Sequence, residues 1–107
     1  MNVIRLITIA IALAAFAQVH ASGLEETIAT CNGCHGDNGV SQWRDMPTIA
    51  GIDAFVHSDA LYAYQAEERP CAMAEFKQGS KTGERANMCE AVADLSEEQI
   101  EAIAEHY

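Results

Sequence analysis

The sequence predicts a small all-α domain of about three to four helices. Three observations carry this expectation. Apolar residues recur at helical spacing near both ends of the region, Leu24, Ile28 and Cys31 early, and Ile100, Ile103, Ala104 and Tyr107 late. Ser96, followed three residues later by Gln99, is a helix-start signal just ahead of the second stripe. No stretch shows the convincing apolar–polar alternation of a half-buried strand.

The first 21 residues stand apart. Arg5 is the only early positive charge, and the apolar run Leu6 to Ala17 follows it. Gln18-Val19-His20-Ala21 then offers a cleavage site after Ala21. This is the pattern of a secretory signal peptide. The run is short for a membrane span, which needs about 20 apolar residues, so cleavage is expected and an uncleaved anchor is the alternative. Residues 22–107 then form a single domain of 86 residues. A core of that size is marginal without a disulfide, a metal or a large buried cofactor.

Leu24 to Thr30 reads as the first helix, running into Cys31-Asn32-Gly33-Cys34-His35. That run is C-x-x-C-H, the attachment pattern of a c-type haem. Two thiols three positions apart can add to the two vinyl groups of one porphyrin. The His that follows then lies under the iron as an axial ligand. Rival readings of the motif are weaker. A thioredoxin-like redox pair needs a βαβ context. A zinc site needs further ligands, and Cys71 and Cys89 form no second C-x-x-C.

Gly36-Asp37-Asn38-Gly39 is a turn signal, and residues 40–51 read as an irregular loop around Pro47. A ligating His needs its second ring nitrogen held, often by a backbone carbonyl, and the Pro47 carbonyl is the candidate here. Ile52 to Glu67 reads as helical, with Ser58 able to cap a second segment, and Pro70 ends it. Residues 71–88 read as a long polar loop. Asp94 to Tyr107 reads as the last helix, with Glu97 and Glu98 placed to suit its dipole.

The other side of the iron can take Met46, Met73, Met88, His57 or His106, or stay open. A ligand that reaches the opposite haem face should lie well downstream on a loop. Met73 begins the polar loop and Met88 ends it. His57 and His106 read as solvent-side residues with no assigned role.

Charge narrows the partners. The chain carries a formal net charge of −10, and loss of Arg5 with the signal peptide leaves all 16 acidic residues behind. Such a surface repels nucleic acid and anionic membrane and steers towards basic patches on protein partners.

The chain resembles the monohaem class I cytochromes c over nearly all of residues 24–107. Cys31 to Gly36 with Asn38-Gly39 is similar to that family's haem segment, and Pro47 to Gly51 to its proline loop. Glu68-Arg69-Pro70 resembles the stretch after its middle helix. Met88, with Leu95 to Ile100, resembles its distal methionine and C-terminal helix. The chain is especially similar to the small soluble periplasmic cytochromes and to the cytochrome subunit of flavocytochrome c sulfide dehydrogenase. The likeness implies the class I cytochrome c fold around one covalent haem c. Cys31 and Cys34 are then the thioether residues, His35 the proximal ligand and Met88 the distal one. The departure is the pair Cys71 and Cys89, absent from most such proteins. In an oxidising compartment a Cys71–Cys89 disulfide bracing the methionine loop is expected.

The expected function is periplasmic electron transfer, with redox proteins bearing basic docking surfaces as partners. The chain is read as a carrier rather than an enzyme. One alternative is the haem subunit of a flavoprotein dehydrogenase, which an exposed apolar patch at Trp43 or Phe55 would favour, although Trp43 also reads as packing against the haem. Another is an open-site haem sensor or peroxidase.

Overall fold

A computed structural model of the chain describes residues 23–72 and 74–107. The signal-peptide expectation and Met73 lie outside them. Helices and loops make up the described residues, and the only strand-like pairing is an isolated bridge between Glu75 and Arg85. The predicted all-α class is therefore what the structure adopts.

Helix α1 covers residues 23–35, and Asp37–Gly39 form a short 3-10 turn directly after it. Helix α2 is Ala54–Gln65, α3 is Met88–Val92 and α4 is Glu97–His106. The starts of α2, α3 and α4 have local causes. The Asp53 carboxylate accepts from the Phe55 and Val56 amides at 3.0 and 3.3 Å. It, not Ser58, is the cap of α2, because a carboxylate at that position satisfies two orphan amides. Ser58 sits inside the helix and donates to the Phe55 carbonyl. Asn87 caps α3 through the Glu90 amide. At α4 the expected capping box is complete: Ser96 Oγ accepts from the Gln99 amide and Gln99 Oε1 from the Ser96 amide, at 3.1 and 2.8 Å.

Helix α3 is absent from the sequence reading, which ended the polar loop at Met88. Five residues are too few to show a 3.6-residue period.

The core gathers Ile28 from α1, Leu61 from α2, Val92 from α3, and Ile100 and Ile103 from α4. Helix α2 packs chiefly on α4 and also on α3. Gln65 ties the three together, its side-chain amide donating to the Val92 and Leu95 carbonyls at 3.0 and 2.7 Å. These carbonyls belong to the α3–α4 link, so one amide satisfies the Leu95 carbonyl and adds a second donor to that of Val92, which also accepts from the Leu95 amide at 3.2 Å.

The long polar loop is more ordered than its composition suggests. Phe76 is buried and exchanges backbone hydrogen bonds with Glu84 and Gly83. The loop also interlocks with residues 41–48. The half-buried Trp43 indole lies where a Gly79 side chain would stand, Asp45 accepts from the Lys77 amide at 2.8 Å, and Gln78 accepts from the Arg44 amide at 3.0 Å.

The sulfur atoms of Cys71 and Cys89 lie at disulfide distance, with Cα atoms 5.4 Å apart and a sequence separation of 18. Closing a ring of that size stabilises by up to about 3 kcal/mol in the chain-entropy account. A Cys71→Ser/Cys89→Ser variant should therefore lower Tm by roughly 10 °C or more for a domain of this size, measured by circular dichroism. An unchanged Tm would remove the disulfide from the account of stability.

Candidate functional site

Cys31, Cys34 and His35 occupy the last turns of α1. A three-residue spacing puts both thiols on one side of the helix. Both cysteines are half-buried and unbridged. Burial raises the Cys31 thiol above its ordinary value; a backbone hydrogen bond opposes the shift and the neighbouring Cys34 adds to it.

The helix stops at Gly36, whose amide bonds to the Asn32 carbonyl at 2.9 Å. Gly36 has φ +90° and ψ 165°, a region essentially closed to other residues. A side chain there would run into the Val40 carbonyl oxygen. The chain thus reverses tightly just after His35, and the Ile49 and Ala50 amides bond to the Gly39 carbonyl at 2.8 and 3.1 Å. This brings the residue 47–50 strip back against the end of α1.

The result is the contact expected from sequence. His35 is 7% exposed, and its Nδ1 lies 2.7 Å from the Pro47 carbonyl oxygen. A carbonyl can only accept, so Nδ1 carries the proton. In the neutral ring Nε2 is then the nitrogen left to bind a metal.

Tyr107 braces the same segment. Its ring covers Gly39, and its hydroxyl donates to Asn32 inside the motif. Burial, with the nearby Cys31 adding to it, pushes this phenol up to about 12, so the hydroxyl stays protonated and able to donate.

His57 corrects the sequence reading. It is 4% exposed, not solvent-side. With α2 starting at Ala54, residues 57, 58 and 61 fall on the inward stripe. Its ring centroid is 5.8 Å from that of Tyr107, and Nδ1 has no hydrogen-bond partner among the described residues. Burial first, and the charge of His35 second, hold the imidazole below its ordinary value, so it is neutral at pH 7. Sequence gave no signal for this, because His57 follows no motif. His106 is exposed, as expected, and meets Tyr107 edge-on.

The methionines separate. Met88 opens α3, is half-buried and packs on the apolar core that includes Ile28 of the motif-bearing helix. Met46 is buried directly before Pro47, which ties it to the side of His35 that the Pro47 carbonyl backs. Among the described residues no group of three or more His, Cys, Asp or Glu converges as a metal site, and no helix is long and apolar enough to cross a membrane.

Comparison with known protein families, with curated proteins and with solved structures returns no match.

Proposed function

We propose that the chain is an exported class I c-type cytochrome that carries one electron between protein partners on a single covalent haem c. The His35–Pro47 hydrogen bond inside a C-x-x-C-H segment is the observation that carries this reading.

The residues fit the group. Cys31 and Cys34 are unbridged thiols on one side of α1, as two thioether anchors require. His35 offers Nε2 with its lone pair, its tautomer fixed by Pro47. The polypeptide around Gly33 is open, the nearest atom to a side chain there being Lys81 Cε at 3.9 Å. A bound haem supplies a one-electron couple at its iron. The chain's own contribution is to hold that group by two sulfurs, orient the proximal imidazole and shield the site with the apolar residues behind α1. Met88 is the thioether proposed for the opposite face. The residue 1–21 leader would deliver the protein to the periplasm, where the Cys71–Cys89 bridge is stable.

Visible spectra of the exported protein test this. The expected result is sharp low-spin ferrous bands together with the far-red ferric band of sulfur ligation. A high-spin spectrum that responds at once to carbon monoxide would point to an open site and sink the carrier reading. Met88→Ala is expected to abolish the low-spin thioether spectrum and open the iron to carbon monoxide. Survival of that spectrum in Met88→Ala, with loss in Met73→Ala, would overturn the Met88 assignment.

A second reading has one observation in its favour. Phe55 and Val56 are 78% and 57% exposed side by side, which suits the haem subunit of a flavoprotein dehydrogenase better than a carrier with no lasting contacts. Stable copurification with a flavoprotein separates the two.

A further inference from the structure

We infer that the groove between α2 and α4 docks a basic segment of a partner protein, one that lays an apolar residue on Phe55 and a Lys or Arg among Asp59, Glu101 and Glu105. The inference deepens the proposed function and rests on it only for the partner being a redox protein.

The groove has a volume of about 290 Å³, and its lining includes Phe55, Tyr62, Asp59, Glu101 and Glu105. Phe55, which lines the groove, is 78% exposed, although Phe76, in a polar loop, is buried. One exposed apolar residue alone means little, but a Phe left open on the lining of a concave surface among carboxylates is the composition of a contact site.

The charge decides the occupant. Between them α2 and α4 carry Asp59, Glu97, Glu98, Glu101 and Glu105 and no Lys or Arg. The basic residues of the described chain lie elsewhere, at 44, 69, 77, 81 and 85. The histidines of these helices do not offset the acids: His57 is buried and held neutral, and His106 lies against Tyr107. Glu97, Glu101 and Glu105 form an i, i+4, i+8 stripe along α4. Like charges at that spacing repel within a helix, and a cation laid along the stripe relieves the repulsion. Glu101 has a single hydrogen bond to offer against it, from the Tyr62 hydroxyl at 2.9 Å. A second copy of the chain would bring the same carboxylates face to face. Nucleic acid and anionic lipid are repelled outright. A cationic protein segment with an apolar residue satisfies both halves of the groove.

The test uses the full exported protein and a synthetic amphipathic Leu/Lys peptide, with an oligolysine of equal charge and a Leu/Glu peptide as controls. Amide shifts on titration should centre on Phe55, Asp59, Glu101 and Glu105. Phe55→Ser and Glu101→Gln/Glu105→Gln should each weaken Leu/Lys binding about tenfold. Glu67→Gln/Glu68→Gln removes the same charge just outside α2 and should change it by less than about twofold. No saturable binding of the Leu/Lys peptide overturns the proposal. So does equal loss in the Glu67/Glu68 control, oligolysine binding the wild type as tightly as the Leu/Lys peptide does, or shifts centred elsewhere. The visible spectrum of the same sample keeps the two readings apart. Haem bands without groove binding sink the docking site alone, and groove binding without haem bands sinks the carrier reading alone.

Discussion

A Cys31→Ser/Cys34→Ser variant is expected to emerge colourless after denaturation, whereas the unaltered protein is expected to keep a chromophore on the chain. The argument is one of bonds. If the porphyrin is held by two thioethers, unfolding cannot release it, and a haem stain follows the polypeptide through a denaturing gel. A serine oxygen forms no such bond under the same conditions. Loss of both sulfurs would leave only the proposed His35 and Met88 contacts, which unfolding breaks. The single variants divide the effect, since one thioether is enough to hold the group. Full retention of covalent colour in the double variant would remove Cys31 and Cys34 from the site and, with them, the carrier reading. The consequence extends to stability. The core is built from a few side chains, Ile28, Leu61, Val92, Ile100 and Ile103, and a domain of this size gains much from a large buried cofactor.

Gly36→Ala is the other large effect expected. At φ +90° and ψ 165° the residue occupies backbone space that costs an alanine about 1–3 kcal/mol. The new methyl also meets the Val40 carbonyl oxygen, which is backbone and cannot rotate aside. Together these terms destabilise by about 4 kcal/mol or more, a fall in Tm of roughly 15 °C or more. Function goes with it, because the same reversal returns Pro47 to His35. Gly51→Ala is the matched comparison. Its φ is +79° but nothing lies within 4 Å of a side chain there, so it should cost only about 1 kcal/mol. Thermal unfolding of the two variants measures the difference, and equal losses would show that the clash at Val40 relaxes freely.

The parts of this molecule legible in sequence are those written in neighbouring residues. The capping box needs only Ser96 and Gln99, and the stripe Ile100, Ile103 and Ala104 needs only helical spacing. The His35–Pro47 contact was legible for a different reason: a ligating imidazole needs its second nitrogen held, and Pro47 stands in the loop after the motif. What escaped depends on contacts between distant segments. His57 is buried because α2 begins at Ala54, which hangs on the choice of Asp53 over Ser58 as cap. Phe76 is buried by a backbone exchange with Glu84 that no local pattern announces. Trp43 finds its place on Gly79, a position only a residue without a side chain can offer. The exposure of Phe55 follows from the same register of α2, which turns His57 and Leu61 inward and Phe55 outward.

The interlock of the two loops also bears on how the molecule opens. Trp43, Arg44 and Asp45 are joined to residues 77–79, so the segment between them, which contains all of α2, is a ring closed by weak bonds. The Cys71–Cys89 link closes a second ring, and residues 77–79 belong to both. Neither loop can leave alone without breaking bonds that the other needs. The two are therefore expected to open as one cooperative unit, with the strip bearing Pro47 carried along. The grip on His35 accordingly draws on residues 77–79, far along the chain from it, as well as on the Gly39 carbonyl that holds Ile49 and Ala50, and loosening the distant latch should shorten the lifetime of the site.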